Sequence, residues 1–194
     1  MGSDEQAKTP VSPLRQLCER AKVGDEAKAL LTDEFATKEF MALLVDKELF
    51  QDALRLVAYL LPKREAVGWG CLCVRHILAG QPDKPLPEVH VAAERWVSAP
   101  NDENRWAAKQ TADKEKPKSA SSLLAMAVFF AGPSMAPPNL QAVPPPGHMT
   151  SEMVANAVTI AGVVKEPEKA KEKYRVFMQK ALALIARMQQ PPQR

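Results

Sequence analysis

Cysteine, histidine and aromatic residues are scarce in this chain. Its 194 residues hold three cysteines, three histidines and 6% aromatics. An odd, sparse cysteine set with no signal-peptide pattern excludes a disulfide scaffold and reads as reduced thiols in a cytoplasmic protein. Charge of one sign is lacking too: 26 basic residues face 23 acidic ones, a net charge of +3. No window interleaves basic residues with aromatics, so a nucleic-acid partner is not expected. The richest basic run, Lys165–Arg175, mixes its cations with Glu166, Glu168 and Glu172 and reads as a solvated helix face. The longest apolar run, Leu123–Gly132, is too short to cross a bilayer core, so no membrane span is expected. The first ten residues are polar, and Gln6 stands where a myristoylation motif after Gly2 needs Ser or Thr.

Standard catalytic signatures are missing as well. There is no phosphate-binding Gly-x-x-x-x-Gly-Lys loop, no dinucleotide Gly-x-Gly-x-x-Gly, no His-Glu-x-x-His and no Gly-x-Ser-x-Gly. No alternating strand, Asn-Gly hairpin or internal repeat stands out.

What the sequence has is helical punctuation. Ser12-Pro13 opens a first helix, and Gly24 is expected to end it. A helical apolar spacing runs from Phe40 to Leu61, with a break near Asp46–Glu48. Pro62 begins a central helix, and Asn101 or Asp102 caps a later one. Thr150 is expected to cap the helix after the prolines. The last helix should place Tyr174, Phe177, Ala181, Ile185 and Met188 on one face. The fold class is therefore all-α: a single-domain bundle of about eight or nine helices over residues 12–190. Disordered tails are expected at 1–11 and 191–194. A proline-rich strap at 132–149 is expected to be ordered without regular structure, pinned by Met135, Leu140 and Val143.

The stretch "CLCVRH", Cys71 to His76, looks at first like a metal or redox site. On a helix, Cys71 and Cys73 lie roughly 200° apart at the ~100° step per residue, so they cannot hold one ion. Cys73 and His76 share a side but supply only two of the four ligands a structural zinc takes. The redox motif needs two residues between its cysteines, and here there is one. The expectation is no metal and no cofactor, with Trp69, Leu72, Cys73, His76 and Ile77 lining one face of a central helix.

Three polar sets stand in apolar surroundings: Arg64-Glu65, Arg95-Trp96 and Arg105-Trp106. Burying Glu65 is costly unless a partner is found, and Arg95 or Arg105 is the expected one. Tryptophan and arginine are also the residue types enriched at binding hot spots. The candidate binding residues are Arg64, Glu65, Trp69, Arg95, Trp96, Arg105, Trp106, Pro144, Pro145 and Pro146.

The segments "LPKREAVGWGCLCVR", "AERWVSAPNDENRWAA" and "GPSMAPPNLQAVPPPGHMT" resemble, over roughly Leu60 to Met188, a family of small helical bacterial proteins of unknown function. Genes of that family often lie near type VI secretion components such as spike proteins and adaptors. Its first motif has a Trp-Trp step where this chain has Gly68-Trp69. The resemblance implies a helical fold and carries over no catalytic residues. The expected function is a non-enzymatic protein–protein interaction module, an accessory or adaptor for a secretion assembly or its effector. The alternative is a small enzyme or toxin with a pocket near Glu65, His76 and an arginine.

Overall fold

The computed structural model describes residues 12–79, 85–115 and 119–190. Among the described residues the chain forms ten α-helices, one 3-10 turn at Pro167–Lys169 and no strand. The all-α, single-domain expectation holds, with slightly more helices than the boundary signals suggested. The expected tails at 1–11 and 191–194, and much of the loop before Pro87, lie outside the described residues. No helix among the described residues is long and apolar enough to cross a membrane.

The first four helices are α1 (Pro13–Ala21), α2 (Asp25–Ala29), α3 (Thr37–Asp46) and α4 (Phe50–Leu60). Ser12 Oγ accepts from the Arg15 amide at 3.2 Å, which caps α1 as expected. Gly24 does not end α1. Lys22 does, with a left-handed φ of 53°, and Gly24 instead opens α2. The break between α3 and α4 is made by Glu48 at φ 61°, with the Leu49 amide donating to the Leu44 carbonyl at 2.8 Å.

Then follow α5 (Lys63–Leu78), α6 (Glu88–Ser98), α7 (Asp102–Lys114), α8 (Ala120–Ala131), α9 (Met149–Val163) and α10 (Ala170–Gln189). Asn101 caps α7 and Ser119 caps α8 through their side-chain oxygens. Thr150 does not cap α9. The Pro146 carbonyl accepts from the Met149 amide at 3.0 Å, so the helix begins at Met149, two residues earlier, and leaves the Thr150 hydroxyl buried with no hydrogen-bond partner among the described residues.

Helices α8 and α9 pack along each other at the centre, and α5 lies across both. Their faces are rich in alanine, which lets the backbones approach closely. At Gly70 a Cβ atom would stand 2.5 Å from Leu124, so α5 meets α8 where only glycine fits without movement. The Trp69 indole donates to the Phe177 carbonyl at 3.0 Å and fastens α5 to α10. On α10 the expected face holds except at its end. Tyr174, Phe177 and Ala181 are buried and Ile185 packs half-buried against the core, whereas Met188 is 46% exposed because the last turns run past the core.

Helix α5 also differs from its expected face. Trp69 and Cys73 are buried as expected, but so are Ala66, Val67, Gly70, Cys71 and Val74. Leu72 is 48% exposed and His76 is exposed, its ring edge-on to Phe177 at 6.3 Å. With α6, α8, α9 and α10 around it, α5 is enclosed over most of its circumference and shows only a narrow outer strip.

Candidate functional site

That outer strip forms the floor of an open groove of about 630 Å³ between α6 and α10. Three expected site residues, Arg64, Glu65 and Trp69, meet there. Leu72 and Gly68 continue the floor, with Val97 on the α6 side and Leu184 on the α10 side. Gly68 keeps the floor bare: a Cβ atom there would already lie 3.3 Å from Val97 Cγ1.

One end of the groove carries charges with unused hydrogen-bonding capacity. Arg64 Nε donates to the Val97 carbonyl at 2.8 Å, which fixes the guanidinium and leaves its outer nitrogens uncommitted. Glu65 lies beside it, half-buried and with no ion-pair or hydrogen-bond partner among the described residues. The expected pairing of Glu65 with Arg95 or Arg105 is not found. Glu65 sits in the first turn of α5, where the helix dipole favours a carboxylate without a buried partner. Arg187 of α10 lines the same groove.

The other end is a closed network. The Arg75 guanidinium grips the Glu94 carboxylate with two nitrogens, Nε donating to Oε1 at 2.7 Å and Nη2 donating to Oε2. His90, one turn before Glu94, is fully buried, with Nδ1 3.4 Å from Ser121 Oγ. Its Nε2 lies 3.2 Å from Glu94 Oε1 without the alignment of a hydrogen bond. Burial is the largest influence on His90 and lowers its pKa, while Glu94 pulls the other way. Burial also pushes the Glu94 carboxyl up, but Arg75 and His90 together hold it below the usual carboxylate range. Cys71 borders the groove, and burial pushes its thiol far above its ordinary pKa, so it is an inert thiol rather than a nucleophile.

The remaining expected residues lie elsewhere. Arg95 is exposed, and Trp96 is buried in the core. Arg105 is 2% exposed and turns inward. Its Nε donates to Asp102 at 2.8 Å, and its Nη1 donates to the Phe129 and Ser134 carbonyls at 3.2 and 2.9 Å. Trp106 is half-buried, in edge-to-face contact with Phe129. Arg105 thus fastens the start of the proline strap to the end of α8.

The strap is held at its base by polar bonds, and of the three apolar residues expected to pin it Met135 is half-buried while Leu140 and Val143 are not. The Met135 amide donates to the Val143 carbonyl at 2.7 Å, and Ser134 Oγ accepts from the Ala136 and Val143 amides at 3.0 Å. Leu140 and Val143 are 61% and 47% exposed. Pro144 and Pro146 are exposed and Pro145 is half-buried. Among the described residues no three His, Cys, Asp or Glu side chains are grouped to hold a metal ion.

Sequence reasoning missed Arg75, Glu94, Leu184 and Arg187. The Arg75–Glu94 pair joins residues 19 apart on successive helices, and α10 arrives from the end of the chain. The only local signal was Leu72, a large apolar residue set among small ones on the outer strip.

Residues 40–185 match the model of a family of unknown function, DUF6931. The chain belongs to that family. The match includes the groove apart from Arg187, and the whole strap, while α1 and α2 lie before it. No curated protein and no solved structure matches the chain.

Proposed function

We propose that this DUF6931 chain is a non-enzymatic binding module whose α5–α6–α10 groove takes a segment of another protein. The observation that carries this reading is the make-up of the groove: Leu72, nearly half exposed on an apolar floor, beside unpaired Glu65 and the outer edge of Arg64. Such a floor fits an amphipathic segment that lays an apolar residue on Leu72. The segment would set a basic residue against Glu65 and an acidic one against Arg64 and Arg187. The strap, tethered yet exposing Leu140 and Pro144, offers a second contact. We further propose that the module acts in the cytoplasm as an accessory or adaptor, its partner a component or effector of a type VI-like secretion assembly. The motif resemblance supports that finer reading.

A small enzyme or toxin is the second reading. The volume of the groove and the presence of Glu65, Arg64 and Arg187 in one lining favour it, but His76 lies outside the groove, against Phe177.

Affinity purification of the full chain from its native host, with mass spectrometry, tests the first reading. Leu72→Glu and Glu65→Arg should each lose the main partner while the thermal midpoint stays within about 2 °C, since both sites are partly open to solvent. Equal capture by both variants removes the groove from the binding role.

A further inference from the structure

A second apolar surface lies between α3 and α10, which both pack on α4. It is a groove of about 290 Å³, separate from the one described above. Met41, Val45, Met178 and Leu182 supply its apolar lining, and Leu182 is 39% exposed. Ala42 lies exposed at the middle of α3, and Lys38 and Asp46 close the two ends. Neither Lys38 nor Asp46 has an ion-pair partner among the described residues.

The placement of those two charges runs against their own helix. Lys38 sits in the first turn of α3 and Asp46 is its last residue. A cation at the positive end and an anion at the negative end each work against the macrodipole. Glu39 sits in the same first turn, but its carboxylate is committed to the Ala36 amide at 3.0 Å.

The same placement is right for an antiparallel neighbour. Lys38 and Asp46 lie four residues before and four after Ala42, on one side of the helix, each ~6 Å along the axis from it. If an identical α3 packs antiparallel with the two Ala42 residues facing, each Lys38 comes opposite the Asp46 of the other copy. Each charge then sits at the end of the neighbouring helix that its sign favours. The smallest side chain is at the crossing point, where close approach is needed. Half-buried Val45 lies beside the crossing and exposed Leu182 of α10 extends the apolar contact, while Met41 and Met178 are buried beneath them. A patch that is its own complement under a two-fold axis is what an isologous dimer requires.

We infer that the α3–α10 face is the contact surface for a second copy of this chain, paired antiparallel through α3 about Ala42. The inference is independent of the α5–α6–α10 groove, which stays open in such a dimer.

Sedimentation velocity and light scattering of the full chain over roughly 5–200 µM test it, because a homodimer declares itself by mass action. The expected result is a shift from the 21.3 kDa monomer to twice that mass. Lys38→Glu sets a carboxylate against Asp46 at both ends of the pair and should raise the dissociation constant at least ~tenfold. The double variant K38E/D46K restores opposite charges across the pair and should recover dimer that the single variant lost. Ala42→Arg, at an exposed position, should leave a folded monomer, checked by circular dichroism. A monomer throughout the range overturns the inference. So does a dimer that persists unchanged in both Lys38→Glu and Ala42→Arg, or a double variant that associates no better than the single one.

Discussion

Replacing Arg105 by methionine should loosen the proline strap and destabilise the whole domain. Methionine keeps the apolar stem that packs near Trp106 and Phe129 but removes every donor. Two main-chain carbonyls then lose a charged partner, Phe129 at 3.2 Å and Ser134 at 2.9 Å. Hydrogen bonds to a charged group contribute roughly 1.5–3 kcal/mol each. The Phe129 carbonyl keeps a weak second donor, the Gly132 amide at 3.5 Å, which places it at the low end. The Asp102 link adds little, since that carboxylate is 59% exposed and returns to water when released. The total is about 3–4 kcal/mol, which for a domain of this size is a fall in Tm of roughly 6–16 °C. Thermal denaturation by circular dichroism measures the first effect. Hydrogen exchange measures the second: the Met135 and Val143 amides, bonded across the feet of the strap, should exchange faster relative to the amides of α8. A Tm within about 2 °C of wild type, or unchanged exchange at Met135, would refute the reasoning.

Two further outcomes follow from close packing and from burial. Gly162→Ala should lower stability by ~1–3 kcal/mol, because its new methyl overlaps the Tyr174 ring. Gly147→Ala, with open space around it, should change little; equal midpoints for the two variants would contradict the packing described here. Stability should also fall as pH drops below about 6.5. His90 is buried with its pKa depressed from an ordinary value of 6.5, so the unfolded chain takes up its proton first. The stability His90 confers is complete above that pH and is lost as pH falls toward the folded value. Urea denaturation between pH 7.5 and 5.5 should show the decline, and His90→Asn should flatten it; an identical slope in the variant would mean that another group is responsible.

The signals that were legible in the sequence are local ones. Ser12-Pro13, Asn101 and the break at Glu48 each act within one helical turn, so residue type alone indicates them. Apolar spacing identified α5 as a helix but misjudged its face. Alanine, glycine and cysteine carry little weight in such a pattern, and Ala66, Gly70 and Cys71 turned out to be core because neighbours enclose α5 on several sides. Leu72, with the larger side chain, was left outside. The cost of burying a carboxylate points to a partner for Glu65, yet the first turn of a helix already supplies the compensation. Arg105 stands out in the sequence beside Trp106, but its partners are the carbonyls of residues 24 and 29 positions away. No side-chain pattern announces a carbonyl. The groove was half visible: Arg64, Glu65 and Trp69 lie on one helix, whereas Glu94, Leu184 and Arg187 reach it only through tertiary packing.

The Met135–Val143 bond closes the excursion of the strap at its base. From Pro137 to Ala142 the chain leaves the helices and returns to the same place, and nearly everything on it faces water. Its length is therefore free of the rest of the architecture. Doubling such a loop costs only about 0.6 kcal/mol in closure entropy, provided Ser134 and Val143 keep their bonds. Related chains can lengthen, shorten or rewrite this tip while α8 and α9 stay in register. It is also the position where a foreign sequence can be inserted with least disturbance to the bundle.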